Sequence, residues 1–278
     1  MPNEALLSSI LELGWSSYQS VSINRWQCGV ASHVDDFVAE EVPVVLMYNG
    51  VSHVVMLATP TNLDDFALGF SLTEGIISQA SELQSVKIYQ RANGIEVQLK
   101  ISDECFQHLA SKGRNLTGRT GCGLCGSTTL KQAIKPARSV TSDLKVTAMQ
   151  LTNALRALPQ QQQLNQLTGA IHAVTWVTLN DGLVELREDV GRHNALDKLI
   201  GALLKRHTDF SNGFMITTSR ASYEMVQKAT AVGVSILVAI SAPTALAIRL
   251  AQESGLTLIG FARESSCVIY SHPQRFTE

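Results

Sequence analysis

The chain has 278 residues, of which 45% are hydrophobic, so it can bury a sizeable core in one large or two moderate domains. Its 22 basic and 24 acidic residues give a formal net charge of −2, which argues against a nucleic-acid-binding protein because such proteins carry a basic surplus. The chain has five cysteines, an odd number that does not suit a disulfide framework, so the composition favours a reducing compartment.

Neither an export signal nor a membrane span is expected. The first basic residue is Arg25, and Leu6 to Leu13 is too polar for a signal core. Ala229 to Ile248 lacks charged residues over about the length of a membrane helix, but Gly233 and Pro243 interrupt it. This pattern is typical of a strand, a turn and a helix inside an α/β core.

The N-terminal third predicts a small α+β part. Residues 1–35 are weakly patterned, and we expect a weakly ordered arm there. Two apolar runs within Val42–Ala58 flank Asn49-Gly50, which predicts a β-hairpin because a type I′ turn needs positive φ at both positions. Asn62 is the expected cap of a helix that runs from Leu63 to about Leu72.

Two strands, Val86–Gln90 and Ile95–Ile101, and a helix over Asp103–Lys112 follow. We assign residues 36–135 to this α+β part, which also carries a cysteine-rich loop. Pro136 to Lys145 has the composition of a linker.

Residues 146–278 predict an α/β part in which strands and helices alternate, the pattern of βαβ units with a parallel sheet. A polar tract at Gln160–Gln163 is expected to be a flexible turn, and Asn180-Asp181-Gly182 marks a hairpin. The predicted helices are Ala148–Leu158, Asn194–Lys205, Tyr223–Val232 and Thr244–Glu253. The predicted parallel strands are Phe214–Thr218, Ile236–Ile240 and Leu256–Phe261.

The most distinctive motif is Gly118-Arg119-Thr120-Gly121-Cys122-Gly123-Leu124-Cys125-Gly126. Its glycines allow close approach to both sulfurs, and Arg119 favours the reactive thiolate. Four interpretations are open for the two cysteines. They are a zinc site with Cys105 and His108, a thioredoxin-like redox pair, a buried structural pair, and sulfur transfer through a persulfide.

A second motif, Glu188 to Asn194, joins a strand to a helix. It places Arg192 and His193 at the positive end of that helix, where acidic residues are normally favoured. Cations at this position indicate an anionic partner, because the helix terminus also offers free N–H groups. The alternative is a local ion pair between Arg192 and Asp189.

Three further segments follow the predicted parallel strands: Thr217–Ser222, Ser241–Thr244 and Phe261–Ser266. Ligands of open parallel sheets bind beyond the carboxyl ends of the strands, so hydroxyls and arginines there favour a phosphate-bearing nucleotide. Phe261 is suited to stack on a base. Helix capping is the ordinary alternative for Ser219 and Ser241. His172 stands in an apolar run, where a hydrogen-bonded core histidine is more common than a catalytic one.

Taken together, the ordered motifs resemble one protein family. They are Glu40-Glu41-Val42-Pro43-Val44, Asn49-Gly50, Phe66-Ala67-Leu68-Gly69-Phe70, Glu74-Gly75-Ile76-Ile77, the cysteine loop, Asp189 to Lys198, Ser219 to Glu224, Ser241 to Thr244 and Gly260-Phe261. Over residues 36–275 the chain is similar to the FdhD family of formate dehydrogenase accessory sulfurtransferases.

The resemblance implies a cytoplasmic sulfurtransferase. It would accept sulfur from a cysteine desulfurase and deliver it to the molybdenum (or tungsten) bis-pterin guanine dinucleotide cofactor before that cofactor enters formate dehydrogenase. Cys122 corresponds to the persulfide carrier, and Cys125 is expected to support it. The cofactor is bound as a substrate, GDP and GMP are its expected mimics, and no permanently bound metal is expected. The residues expected to contact the cofactor are Phe261, Ala262, Arg263, Glu264, Ser265, Ser266, Ser219, Arg220, Arg192 and His193.

The resemblance also implies a homodimer with a cytidine-deaminase-like three-layer core, in which helices flank a mixed or parallel sheet. Deamination itself is not expected. His172-Ala173-Val174 lacks the glutamate of the H-x-E motif, and no proline precedes Cys122. The main alternative function is a non-catalytic chaperone that binds the cofactor and formate dehydrogenase without using the thiols.

Overall fold

The computed structural model of the chain describes residues 14–111 and 137–278. The cysteine loop and the predicted roles of Cys122 and Cys125 therefore lie outside the described residues.

The N-terminal part is built on a four-stranded sheet in the order β4-β3-β6-β5, in which β3 and β6 are parallel and the other neighbours are antiparallel. The helix α1 packs on one face of this sheet, and its Phe66 and Phe70 share a core with Val44 and Leu46 of β3. The elements of this part are β1 (Tyr18–Gln27), β2 (Val30–Ala39), β3 (Val42–Tyr48), β4 (Val51–Ala58), α1 (Leu63–Thr73), β5 (Leu83–Arg91), β6 (Gly94–Ile101) and α2 (Asp103–Ser111).

The C-terminal part is built on a six-stranded sheet in the order β13-β12-β11-β10-β8-β9. Only the β10-β11-β12 neighbours are parallel, so the sheet is mixed. Its elements, with the small β7–β14 ladder, are β7 (Val146–Thr147), α3 (Ala148–Gln161), α4 (Gln163–Thr168), β8 (His172–Thr178), β9 (Gly182–Asp189), α5 (Arg192–Lys205), β10 (Gly213–Thr217), α6 (Tyr223–Ala231), β11 (Ile236–Ala239), α7 (Ala245–Ser254), β12 (Thr257–Arg263), β13 (Ser266–Ser271) and β14 (Phe276–Thr277).

Helices cover both faces of this sheet. Met215 of β10 belongs to a core shared with α5, α6 and α7. Its neighbours Phe214 and Ile216 point the other way, into a core shared with α3. The alternation follows from the two-residue period of a strand, so each strand supplies both cores. The prediction of a mixed sheet between helical layers is confirmed, whereas the specific likeness to cytidine deaminases stays a prediction.

Helices α1 and α5 join the two parts at very close range. A Cβ atom added to Gly69 of α1 would lie 1.8 Å from the carbonyl oxygen of Asp197, and one added to Gly201 of α5 would lie 1.9 Å from that of Asp65. Only glycine fits at either position, because any larger residue would overlap the backbone of the opposite helix.

The structure differs from the expected N-terminal arm. Over residues 18–39 the chain forms the long antiparallel hairpin of β1 and β2, with Tyr18 opposite Ala39 and Gln27 opposite Val30. The two turn residues, Cys28 and Gly29, both have positive φ, at 51° and 85°. They form a turn of the primed kind, but with Cys in place of the usual Asn or Asp, so the sequence carried no strong hairpin signal.

Three local predictions are also corrected. Asn62 precedes α1 but has left-handed geometry and no side-chain capping bond. The tract Gln160–Gln163 is not a flexible turn, because α3 continues to Gln161 and α4 begins at Gln163. The described part of the linker, residues 137–145, lacks regular elements but is packed: Val140 is buried and its N–H donates to the carbonyl of Ser254 at 2.8 Å.

The other predicted elements are confirmed with small shifts of their ends, including the hairpin at Asn49-Gly50, whose φ angles are 48° and 86°. The uncharged segment from Ala229 to Ile248 ends one helix, passes through β11 and begins another, as predicted. In the part of the chain that the structure describes, no helix is long and apolar enough to cross a membrane. The division at residues 35, 136 and 145 stays a prediction.

Candidate functional site

The carboxyl ends of β10, β11 and β12 bring the three predicted loop segments into direct contact. The Ile240 N–H donates to the carbonyl of Thr217 at 2.9 Å, and the Phe261 N–H donates to that of Ser241 at 3.1 Å. Thr244 and Ala221 are joined by a further bond of 3.0 Å. The three segments therefore lie side by side, as expected, and backbone hydrogen bonds join them.

Ser219 and Ser241 do not cap the helices that follow them. The residue before α6 is Ser222, which makes no side-chain capping bond, and α7 is capped by Thr244, whose hydroxyl accepts from the Ala247 N–H at 3.3 Å. The Ser219 hydroxyl is buried and lies 2.9 Å from that of Thr217. Ser219 thus stabilises its own turn.

The third segment is not a strand-to-helix turn. Glu264 and Ser265 join β12 to β13, so the turn closes an antiparallel hairpin at the edge of the sheet. Within it Phe261 has φ of 49° and a 47% exposed side chain, whereas Ala262 is buried. An exposed ring beside the Ser241 turn is available for stacking.

The polar side chains of this hairpin are largely engaged within the protein. Arg263 donates to the carbonyl of Ile240 at 2.6 Å. Glu264 accepts from Arg156 of α3 at 2.7 Å. Ser265 and Ser266 are exposed. The predicted cofactor residues 261–266 therefore lie beside the loops that follow β10 and β11, and Phe261 is bonded to the Ser241 turn through its backbone.

The start of α5 adjoins the same edge from the β8–β9 side. His172 of β8 pairs with Asp189 of β9, and the next residue, Ala173, donates its N–H to the hydroxyl of Thr218 at 2.9 Å. His193 of α5 places Nε2 3.2 Å from the hydroxyl of Ser222 and 3.1 Å from Oε2 of Glu224. The first turns of α5 and α6 consequently meet beside the loop after β10.

Four basic groups gather at this meeting point: Arg192, Arg220, His172 and His193. Burial and the charges of Arg192 and Arg220 lower the pKa of His172, against the opposing effect of Asp189. Burial and the charge of Arg192 also lower the pKa of His193, to about 3. Both pKa shifts favour the neutral imidazoles, so the positive charge at this point comes chiefly from the arginines.

This arrangement is suited to bind an anion. Two guanidinium groups stand beside the N-terminal ends of α5 and α6, where backbone N–H groups and the helix dipole already favour negative charge. Arginine forks bind phosphate in a bidentate manner. The structure thus brings Arg192, Arg220 and His193 together with His172, which the sequence had favoured as a core residue. The contact of the first three with the cofactor stays a prediction.

Asp189, the alternative partner that the sequence offered for Arg192, is the centre of a buried network. Its Oδ2 lies 2.7 Å from Nζ of Lys198, and both side chains are 0% exposed. Its Oδ1 accepts from the Gly191 N–H at 2.7 Å and from Nδ2 of Asn194 at 2.9 Å. The network fixes the turn that presents Arg192 and His193.

A second buried cluster lies behind the first turn of α6. Nζ of Lys228 lies 2.9 Å from Oδ2 of Asp197 and 3.0 Å from Oε1 of Glu74. Burial opposes the charge of Lys228, but Asp197 and Glu74 hold the pKa of this lysine above its usual range. Sequence reasoning missed Lys228 and Glu224, because their partners lie on other elements, far along the chain. Glu224 belongs to the Ser219–Glu224 motif, but no motif marked Lys228.

The described residues hold no group of three or more side chains suited to bind a metal ion. Cys105 and His108, the proposed zinc partners of the cysteine loop, lie on α2 in the N-terminal part, and Cys28, Cys105 and Cys267 are free thiols.

Comparisons with known proteins agree with the arrangement of the motifs. The model of the FdhD/NarQ family matches residues 39–277. The chain is 50% identical over 259 residues to the sulfur carrier protein FdhD of Cupriavidus necator, with 93% of this chain and 90% of that protein covered. It is 48% identical over 254 residues to the protein of the same name from Xanthomonas euvesicatoria, with 91% and 90% covered.

A solved structure shares the fold. The crystal structure described as that of a formate dehydrogenase accessory protein from Desulfotalea psychrophila matches with a TM-score of 0.76 and 23% identity, and the match covers 94% of this chain and 99% of that one. The family match over residues 39–277 and the 50% identity to a curated relative lead to one conclusion. The chain belongs to the FdhD/NarQ family.

Proposed function

We propose that this protein is a sulfur carrier that serves formate dehydrogenase, and that it transfers sulfur to the molybdenum bis-pterin guanine dinucleotide cofactor of that enzyme. The observation that carries the proposal is the 50% identity, over 93% of the chain, to a relative named sulfur carrier protein FdhD. The Cys-x-x-Cys loop supplies one chemical requirement, a nucleophilic thiol. The other requirement, an anion site, is supplied by the cationic edge of the sheet, by which we mean Arg192, Arg220 and the first turns of α5 and α6.

In the proposed first step the Cys122 thiolate attacks the outer sulfur of a persulfide on a cysteine desulfurase. A bond forms between Cys122 and that sulfur, the S–S bond of the desulfurase breaks, and its cysteine leaves as a thiolate. No net oxidation occurs, because one persulfide replaces another. Arg119 favours the thiolate form of the attacking cysteine.

In the second step Cys125 releases the sulfur. Its thiolate attacks the inner sulfur of the Cys122 persulfide, a Cys122–Cys125 disulfide forms, and the outer sulfur leaves as sulfide for the metal of the bound cofactor. The two electrons that reduce the sulfur come from the two cysteines. An external dithiol or thioredoxin-type reductant then restores both thiols.

The cationic edge would hold the pyrophosphate of the cofactor during this transfer. Arg192 and Arg220 supply positive charge, the first turns of α5 and α6 supply N–H donors, and the exposed ring of Phe261 is suited to stack on the guanine. These residues fit a nucleotide diphosphate in charge and in donor type. The cofactor enters as a substrate and leaves with the added sulfur.

The test of the sulfur step is the intact mass of the protein after incubation with a cysteine desulfurase and cysteine. We expect a gain of about one sulfur atom that a reductant removes. Cys122→Ala should show no gain and should still fold and bind nucleotide. Cys28→Ala, which removes an exposed thiol outside the loop, should gain sulfur like the native chain. Sulfur on Cys122→Ala would contradict the carrier assignment.

A second candidate is a non-catalytic chaperone that binds the cofactor. It is favoured by one observation: within the described residues, positions 172–266 already supply cations and N–H donors suited to an anion. Complementation of formate dehydrogenase activity separates the two functions. A chaperone would support the enzyme as Cys122→Ala, whereas a sulfur carrier would not.

A further inference from the structure

Glu224 and His193 form a nearly buried acid–base pair at the junction of α5 and α6. Their side chains are 12% and 6% exposed, and Oε2 of Glu224 lies 3.1 Å from Nε2 of His193. Among the residues that the structure describes, the hydroxyl of Ser222 is the other polar group at that nitrogen, at 3.2 Å. Two atoms with lone pairs at 3.1 Å need a proton between them, so either the carboxyl or the imidazole carries it.

The surrounding charges favour a proton on the carboxyl. The carboxylates of Glu74 and Asp197 are already hydrogen-bonded to Lys228. Glu224 lies one helical turn before that lysine, so three carboxyl groups face a single ammonium in a buried space. Burial, with Glu74 and Asp197, raises the pKa of Glu224 to about 7, against the opposing effects of Lys228 and Arg192.

Without an anion at the cationic edge, the charges around His193 favour its neutral imidazole. Burial and the positive charges of Arg192 and Lys228 disfavour the imidazolium form of His193, and Glu74 opposes them only in part. The charged or titratable groups that face the pair are Arg192 from α5, Lys228 from α6, Glu74 and Asp197 from behind, and His172 from β8. Cations thus outnumber anions on the histidine side, and carboxylates crowd the glutamate side.

An anion bound at the edge reverses this balance at the histidine. Its negative charge offsets Arg192 and Arg220, and it favours the charged form of a neighbouring imidazole. We propose that Glu224 is a positioning residue that stores a proton beside His193 and gives it to this histidine when a ligand carrying a diphosphate occupies the carboxyl edge of the sheet.

The step is a proton transfer within the protein. The O–H bond at Oε2 of Glu224 breaks and an N–H bond forms at Nε2 of His193. The carboxyl group becomes a carboxylate and the imidazole becomes an imidazolium, so the pair keeps its total charge. The ligand gains a third cation at its site, and the new ion pair fixes the first turn of α6 to that of α5. This inference rests on the proposed cofactor site.

The test measures the affinity of the full chain for diguanosine pyrophosphate, a diphosphate diester whose own charge is constant near neutral pH. Calorimetric titrations are made at about pH 6.5 and about pH 8.5, on either side of the point where Glu224 releases its proton. Glu224→Gln removes the titrating group but keeps an N–H donor toward Nε2. Glu253→Gln, an exposed glutamate on α7, is the matched control. Thermal unfolding verifies that each variant is folded.

We expect the native chain and Glu253→Gln to bind about tenfold or more weakly at the higher pH, because the proton must then come from solvent. Glu224→Gln should bind with an affinity that changes by less than about twofold. If Glu224→Gln keeps the native pH dependence, Glu224 does not hold the proton and the inference is overturned.

A measurement without ligand separates this inference from the proposed function. Nitrogen NMR of the free protein should show His193 with an unprotonated Nε2 below about pH 7 and a protonated Nε2 above it, and Glu224→Gln should abolish the change. A protonated Nε2 at the lower pH overturns the stored proton whether or not the nucleotide binds. Absence of nucleotide binding with the NMR change intact would refute the cofactor site and the transfer, but leave the stored proton of Glu224 established.

Discussion

Lys198→Met is the sharpest test of the structure, because it removes one charge from a fully buried ion pair. Nζ of Lys198 lies 2.7 Å from Oδ2 of Asp189 and donates to the carbonyl of Thr59 at 2.9 Å. Methionine keeps most of the side-chain volume but supplies neither the charge nor the donor. The substitution therefore leaves a buried carboxylate without its cation.

The magnitude follows from what remains around Asp189. Loss of one partner of a buried ion pair costs about 3–5 kcal/mol, and the orphaned carbonyl of Thr59 adds about 1 kcal/mol. Three N–H donors, from Thr59, Gly191 and Asn194, still bind the carboxylate. Because they retain part of its stabilisation, we expect a loss near the lower limit of this sum, about 4 kcal/mol of unfolding free energy.

Urea unfolding of Lys198→Met, Asp189→Asn, their double variant and Lys205→Met measures this loss. Lys205→Met is the control, because Lys205 lies on the same helix, is 41% exposed, and pairs with the exposed Asp64 and with Asp65. Asp65 keeps its second partner, Arg187, so this variant should lose less than about 1 kcal/mol. Asp189→Asn with Lys198→Met removes both charges and should regain at least about 1 kcal/mol relative to Lys198→Met alone. A loss below about 1 kcal/mol in Lys198→Met, or strict additivity in the double variant, would refute the reasoning.

Three further outcomes are expected. Gly201→Ala should lose about 1–3 kcal/mol in urea unfolding, because its Cβ would lie 1.9 Å from the carbonyl oxygen of Asp65; unchanged stability would contradict the close crossing. Arg220→Ala should weaken binding of diguanosine pyrophosphate about tenfold and leave the unfolding midpoint unchanged, since the side chain is exposed; full affinity would remove Arg220 from the anion site. The pKa of Glu224 is about 7 in the folded chain against 4.5 as its usual value, so its contribution to the unfolding free energy should fall by up to about 3 kcal/mol as pH rises from about 4.5 to about 7. Glu224→Gln lacks this contribution, so the native chain should lose stability relative to Glu224→Gln over that range in unfolding at both pH values; a constant difference between the two proteins would contradict the raised pKa.

The parts of the fold that the sequence predicted are those that depend on local signals. Asn49-Gly50 has a backbone preference of its own, so the β3–β4 hairpin was recognisable from two residues and their apolar flanks. The alternation of β10, α6, β11, α7 and β12 was recognisable for the same reason, since each segment carries its own period.

The β1–β2 hairpin was not recognisable, because its strands have no buried face. Trp26 and Val30 near its turn are 74% and 67% exposed, so neither strand shows the alternation of apolar and polar residues that marks a half-buried strand. Among the described residues, its hydrophobic packing is at the base, where Tyr18 and Ala39 adjoin Leu164 and Ile171. The rest of the hairpin is held by hydrogen bonds between the two strands, and the sequence of either strand alone does not reveal this pairing.

The candidate site was predicted in part for a similar reason. Co-location of the loops after β10 and β11 follows from the geometry of a parallel sheet, so it needed only the strand assignments. The neighbourhood of Lys228 and Asp197 joins residues 31 apart in the chain, and that of Lys228 and Glu74 joins residues 154 apart. Such pairs arise from helix packing, for which a single sequence holds no period or spacing.

The same packing explains why the site depends on both parts of the chain. The segment after β9 is held by Thr59, which lies just after β4 of the N-terminal part, through its contacts with Asp189 and Lys198. Asp197 accepts from Thr73, at the end of α1, at 2.7 Å. Since α1 and α5 cross without room for a Cβ, a shift of the N-terminal part would move the first turn of α5 with it. The proposed anion site therefore depends on the joined structure, although the cationic residues that the structure describes there lie in the C-terminal part.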